Sequence, residues 1–215
     1  MNSPEVKVCG LMRHDDAALA AGAGASYLGA ILAPGYRRTV TPEAARVIFG
    51  DLPARKVGVF VNAPLHELIS VTTSVAVDVV QLHGDEPPEY AARVAEAGFE
   101  VWKAVRPRDG DEFAAAAERF GTSAHALLLD GFSTAAAGGT GTRFPWEAVA
   151  ERLHLLPPGV RLVAAGGLNP ENVAEAARIL RPHVVDVSSG VERETGVKDA
   201  EKVRAFVAAA RAGGR

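Results

Sequence analysis

Short runs of β-branched and aliphatic residues alternate along the chain with longer stretches whose apolar positions recur every three or four residues. The runs lie at 5–8, 27–32, 56–61, 77–82, 99–105, 126–129, 160–164 and 184–187, and most are apolar throughout. A strand that reads this way is buried on both faces, as in a parallel sheet covered by helices. The helical stretches lie at 15–23, 42–50, 64–74, 86–97, 109–120, 146–155, 170–180 and 199–212. Capping chemistry opens several of them: Asp15-Asp16, Thr41-Pro42-Glu43, Asn62-Ala63-Pro64 and Asn169-Pro170-Glu171. The tail Ala212-Gly213-Gly214-Arg215 carries no pattern and is expected to fray.

Eight strand-helix units in 215 residues come to about 27 residues each, close to the roughly 30 that one strand and its crossover helix require. Without a linker or a break in composition, the units predict an α/β fold that is a single (β/α)8 TIM barrel over residues 1–215. The alternative is an open doubly wound sheet. That fold would place a dinucleotide fingerprint after the first strand, where this chain has Cys9-Gly10-Leu11-Met12-Arg13.

Charge and cysteine content narrow the function classes. A formal charge of −3 argues against a nucleic-acid surface, and a single cysteine excludes an internal disulfide framework or a cysteine-based zinc cage. No signal-like start and no long apolar span are present, so a cytoplasmic protein without membrane contact is expected. The histidines have no ligand spacing with a carboxylate, so no metal is expected.

In a barrel, the residues just past each strand share the functional rim. Here they are Cys9-Gly10, Arg37-Arg38, Asn62, His83-Gly84-Asp85, Arg106, Asp130-Gly131, Gly166-Gly167-Leu168-Asn169 and Ser188-Ser189-Gly190. The glycine loops, together with Gly138-Gly139-Thr140-Gly141, suit a phosphate, whose oxygens need close backbone N–H donors. Cys9 is either a small buried hydrophobe or a thiolate base; Lys7, a candidate substrate contact, is either the neighbour that would favour the thiolate or an interior lysine that pairs with an acid. Asp130 is either a general acid or a turn cap. Asp186 faces the barrel interior or its rim, where it would hold a substrate hydroxyl or pair with Lys7. Arg37-Arg38 is a carboxylate clamp or a solvated pair. Of the six histidines, His83 alone reaches this rim, as a candidate substrate contact, and both tryptophans read as packing residues.

Several collinear blocks then resemble one family. Lys7-Val8-Cys9-Gly10, Gly58-Val59-Phe60-Val61-Asn62, Gln81-Leu82-His83-Gly84, Leu128-Leu129-Asp130, Gly138 to Gly141, Gly166 to Val173 and Val185 to Glu192 are similar to the blocks of phosphoribosylanthranilate isomerases. The resemblance implies a barrel without a cofactor that catalyses an Amadori rearrangement in tryptophan biosynthesis. It places the general base on Cys9, the general acid on Asp130 and the substrate-carboxylate contact on Arg38. It places phosphate contacts on Gly139, Thr140, Gly141, Gly166, Gly167, Ser188, Ser189 and Gly190. A small phosphorylated substrate is the implied partner, with the chain as monomer or homodimer. Three positions depart from the family pattern: Pro145 for Asp, Met12 for Thr and Tyr36 for Ser. The rival readings are a histidine-pathway or dual-specificity phosphosugar isomerase, which would want an aspartate in place of Cys9, and a barrel that binds sugar phosphate without turnover.

Overall fold

The computed structural model describes residues 3–131 and 145–214. Eight parallel strands, β1 Glu5–Val8, β2 Tyr27–Ile31, β3 Arg55–Phe60, β4 Val79–Leu82, β5 Glu100–Val105, β6 Ala126–Leu129, β7 Arg161–Ala164 and β8 Val184–Val187, close into a barrel in chain order. Closure comes from β1 pairing with β8, in a register that sets Lys7 beside Asp186. The ring thus has no free edge to pair with another chain.

Helices α1 His14–Ala23, α2 Pro42–Phe49, α3 Leu65–Val75, α4 Pro88–Glu96, α5 Gly110–Phe120, α6 Trp146–Ala150, α7 Val173–Leu180 and α8 Ala200–Gly213 follow the strands in turn. None is long and apolar enough to cross a membrane. Of the expected caps, Thr41 accepts the Ala44 N–H at the start of α2. The others differ. Asn62 sits at φ 50° and accepts the Asp85 N–H, while Asp16 accepts the Lys198 N–H. Asn169 accepts the N–H groups of Glu171 and Asn172, so the backbone turns there and α7 begins three residues later than its proline suggested. Asp109 and Asp199 cap α5 and α8 instead.

Two further differences concern length. α6 has five residues, followed by a 3-10 turn at Leu153–Leu155, where one longer helix was expected. α8 runs through Gly213, which lies so close to Ala174 of α7 that a Cβ would meet its carbonyl oxygen at 2.5 Å; the expected fraying at Ala212 and Gly213 is not observed. A hairpin absent from the periodicity, β9 Glu192–Glu194 with β10 Val197–Lys198, stands over β8. Met12 packs against its Gly196.

Alternate strand residues fill the barrel interior, among them Tyr27, Val57, Val79, Trp102, Ala126, Leu128, Val163 and Val184. Trp102 meets Tyr27 edge-on at 4.9 Å and gives its indole N–H to Glu100, which also pairs with Arg55. Arg161 joins the Tyr27 hydroxyl to Glu5. This aromatic and ion-paired layer closes the amino-terminal end of the barrel. The opposite end is left to polar chemistry.

Candidate active site

Cys9 follows β1 on the carboxyl-terminal rim and is 7% exposed. Gly29 of β2 makes room for it: a Cβ there would meet the Cys9 sulfur at 2.9 Å and Lys7 Cε at 3.1 Å. Beneath the sulfur lies Lys7, 0% exposed, whose ammonium donates to both oxygens of Asp186 at 3.0 Å. Of the two roles open to Asp186, the geometry shows the pairing, and Lys7 has no surface with which to touch a ligand. Burial pushes the Cys9 thiol up; Lys7 and Lys198 pull against that only in part. Burial presses on Lys7 in the other direction, but Asp186 and Cys9 outweigh it and keep its ammonium charged.

Across the rim, Asp130 follows β6 and is linked to β4. Its Oδ2 faces His83 Nε2 at 3.1 Å and Arg106 Nε at 3.9 Å, while Oδ1 accepts the Gly131 N–H at 2.9 Å. Behind the imidazole, Gln81 Nε2 donates to His83 Nδ1 at 2.9 Å. Burial pushes the Asp130 carboxyl up, yet His83, Arg106 and Gly131 together hold it below the usual carboxylate range. His83 is thus turned toward Asp130 by its own strand.

The loop carrying His83 is fastened from below. Glu86, expected in a helix, instead turns inward and accepts N–H groups from Asn62 and Gly84. Its other partner is Lys103 of β5 at 2.8 Å, which also donates to the Gly84 carbonyl at 2.6 Å. Both side chains are buried. Periodicity could not find this pair, because a charged residue in a strand or turn looks solvent-facing until the barrel closes around it.

Arg38, half-buried in the loop after β2, lies over Gly10, where a Cβ would meet its Cδ at 2.6 Å. Its Nε and Nη2 donate to Glu192 at 2.7 Å each, and Lys198 donates to Glu192 and to the Ser188 carbonyl at 3.0 Å. Arg37, beside Arg38, is exposed. The β9–β10 hairpin exists to bring Glu192 and Lys198 under this arginine and the Ser188 loop.

Glycines shape the remaining loops. Gly166 and Gly167 adopt φ of 71° and 70°, and Gly166 lies against the Asp130-Gly131 turn so closely that no side chain would fit. Gly190 presses on the Leu168 carbonyl in the same way. Asn172 holds this turn by donating to the Gly167 carbonyl at 3.0 Å and accepting the Asn169 N–H. No backbone acceptor is recorded for the Gly167 N–H among the described residues. Ser188 and Ser189 immediately precede Gly190. Gly139, Thr140 and Gly141, the third expected phosphate loop, lie outside the described residues. Pro145 immediately precedes α6.

The N-(5'phosphoribosyl)anthranilate (PRA) isomerase family matches the chain over residues 6–209. An N-(5'-phosphoribosyl)anthranilate isomerase of Rubrobacter xylanophilus is 45% identical over 209 residues, covering 96% of this chain and 98% of the relative. The crystal structure of phosphoribosyl anthranilate isomerase from Thermotoga maritima superposes with a TM-score of 0.87 at 35% identity, covering 96% of this chain and 98% of that one. A further solved structure, a phosphoribosyl anthranilate isomerase in complex with reduced 1-(o-carboxyphenylamino)-1-deoxyribulose 5-phosphate, superposes with a TM-score of 0.84 at 34% identity over 99% of this chain and 100% of that one.

Proposed function

The chain belongs to the N-(5'-phosphoribosyl)anthranilate isomerase family, and we propose that Cys9 and Asp130 are the base and the acid of its reaction. That reaction is the isomerisation of N-(5'-phosphoribosyl)anthranilate to 1-(2-carboxyphenylamino)-1-deoxyribulose 5-phosphate in tryptophan biosynthesis. Carbon 2 becomes a ketone as carbon 1 is reduced, so the enzyme is an aldose-ketose isomerase, an intramolecular oxidoreductase. The phosphate lies against the Gly166-Gly167 and Ser188-Ser189-Gly190 loops and the Gly139-Thr140-Gly141 segment. The anthranilate carboxylate meets Arg38.

Asp130 gives a proton to the furanose ring oxygen; the bond from that oxygen to carbon 1 breaks and the anthranilate nitrogen forms an iminium. The cation acidifies the proton on carbon 2, which the Cys9 thiolate removes, and the enolamine tautomerises to the ketone. Lys7 favours the thiolate, and the iminium beside it favours the thiolate further. The observation that carries this reading is the placement of Cys9 and Asp130 at the carboxyl ends of β1 and β6, each beside its own charged partners and separated by the two glycine-bearing strand ends.

Anthranilate fluorescence tests it. Purified protein mixed with enzymatically made phosphoribosylanthranilate is expected to quench the signal as product forms. Cys9→Ala and Asp130→Asn are each expected to lower kcat by about 10²–10⁴-fold with the fold intact. Binding without quenching by the natural chain would favour an inert sugar-phosphate barrel, and full turnover in either variant would remove that residue's role.

A further inference from the structure

Lys198 is a buried charge that the proposed reaction does not use. Its side chain is 0% exposed and that of its partner Glu192 6%. A buried ion pair is a weak stabiliser, because the attraction barely offsets the lost hydration and well-packed apolar residues often serve as well. Stability alone therefore gives no reason for a lysine at this position. Its contacts give one. The ammonium donates to Glu192 Oε1 and to the Ser188 carbonyl, both at 3.0 Å, and Glu192 in turn holds Arg38. We infer that Lys198 is a positioning residue that ties the arginine at one end of the substrate to the serine loop at the other, so that both ends are recognised at a fixed separation. The inference rests on the carboxylate role given to Arg38 and the phosphate role given to the Ser188 loop above.

The two ends meet close to Cys9. A Cβ on Gly10 would stand 2.6 Å from Arg38 Cδ and 2.8 Å from Ser188 Oγ, so the arginine and the serine flank one spot on the residue after the cysteine. Glu192 Oε1 accepts from Arg38 Nε at 2.7 Å as well as from Lys198, so guanidinium and ammonium share a single oxygen. An ammonium carries three donors. It therefore holds a carboxylate and a carbonyl together, where methionine of similar length would fill the space and hold neither.

The lysine is fixed before any ligand arrives. Its backbone N–H donates to Asp16 Oδ2 of α1 at 3.1 Å, and the next residue, Asp199, donates its N–H to the Val191 carbonyl at 2.8 Å. Lys202 of α8 donates to the Glu192 carbonyl at 2.9 Å. Groups held in place this way lose little freedom when a ligand binds, which favours affinity. The link can be cut at either side of the ammonium. Without Lys198, Glu192 keeps its fork with Arg38, so no carboxylate is left unpaired, but the tie to the Ser188 carbonyl is gone. Without the Glu192 carboxylate, Lys198 keeps Ser188 and Arg38 loses its support. Lys198 also pulls on the Cys9 thiol, though less than Lys7 does, so its removal should act on binding more than on turnover.

Two half-ligands test the link: anthranilate, which carries the carboxylate, and ribose 5-phosphate, which carries the phosphate. Each is used as a competitive inhibitor of the natural chain, Lys198→Met, Glu192→Gln and Arg38→Ala, at a temperature where circular dichroism shows all four folded. In Lys198→Met both inhibition constants are expected to rise about 3–10-fold and KM about tenfold or more, with kcat changed less than about threefold. In Glu192→Gln the constant for anthranilate is expected to rise by a similar factor while that for ribose 5-phosphate stays within about twofold. A Lys198→Met enzyme with KM and both inhibition constants unchanged would overturn the inference. So would a rise for anthranilate only, since Lys198 would then act through Glu192 alone. An unchanged constant for anthranilate in Arg38→Ala would instead overturn the carboxylate assignment beneath it. Because position 198 is buried, a second measurement uses the unmutated protein: the Lys198 ammonium signal in side-chain nitrogen NMR is expected to shift when either half-ligand is added alone. A signal unmoved by both would refute the link.

Discussion

Arg38 and Glu192, 154 residues apart, meet fork to fork, Nε and Nη2 each donating to a carboxylate oxygen at 2.7 Å. The pair fixes the guanidinium over Gly10 while leaving Nη1 for a ligand. Charge-assisted bonds of this kind are worth about 1.5–3 kcal/mol each. With the carboxylate role proposed for Arg38, Arg38→Ala is expected to raise KM about 10–100-fold and change kcat by less than about tenfold, because a carboxylate held equally in ground and transition states contributes to binding alone. Lys198 still neutralises Glu192, so the fold should survive. Steady-state kinetics with Arg38→Lys, which lacks the planar fork, should show no recovery.

Cys9 rests as a thiol in the free protein because burial outweighs the pull of Lys7 and Lys198. Alkylation by iodoacetamide proceeds through the thiolate. Its rate should be slow at neutral pH and rise about tenfold per pH unit above it. Lys7→Met removes the nearest cation and should slow the reaction further at every pH. The same change leaves Asp186 buried without its counter-ion, which costs about 3–5 kcal/mol, measurable by urea denaturation. Pairing it with Asp186→Asn should recover most of that loss but not the alkylation rate.

Gly29 has no side chain because Cys9 and Lys7 occupy the space, with the sulfur only 2.9 Å from where a Cβ would stand. Gly29→Ala should cost about 1–3 kcal/mol through overpacking. With the base role proposed for Cys9, it should also lower kcat about tenfold or more, as displacing a reacting group by an ångström costs about 10²-fold. A double-mutant cycle checks the cause: in a Cys9→Ala background, where the sulfur is gone, most of the stability loss should disappear.

The barrel was legible because its strands are apolar on both faces and its helices amphipathic, a pattern that needs only local reading. The roles proposed for Cys9, Asp130 and Arg38 came from the family resemblance; Cys9 and Asp130 were legible as rim positions because each directly follows a strand of a closed parallel barrel. Glu86, Lys103, Glu192 and Lys198 were not, since each is buried through a partner reached by closure of the chain. Asn62 and Asn169 misled for a related reason. An asparagine just before a proline suggests a helix cap, but Asn62 spends its side chain on the loop after β4, and Asn169 caps the turn that precedes α7 rather than α7 itself. Gln81 showed only as part of a family block; its orphaned oxygen becomes visible once His83 is placed above it.

Acid should undo the fold through a small set of carboxylates. Burial pushes Glu100, Asp130 and Glu192 up. It is outweighed at Glu100 by Trp102 and Arg55, at Asp130 by His83 and Arg106, and at Glu192 by Arg38 and Lys198, so all three are held below their ordinary values. A carboxyl with a depressed folded pKa binds fewer protons folded than unfolded. Its contribution is complete above the unfolded value of about 4 and is lost as pH falls through the lower folded value. Urea midpoints should therefore stay level as pH falls from neutrality to about 5 and drop steeply below about 4. In Glu192→Gln the whole curve should start lower, because Lys198 is left buried beside a neutral amide. Its acid slope should also be shallower, since one of the buried titrating carboxyls is gone. A slope equal to that of the natural chain would show that the Glu192 cluster does not govern acid stability.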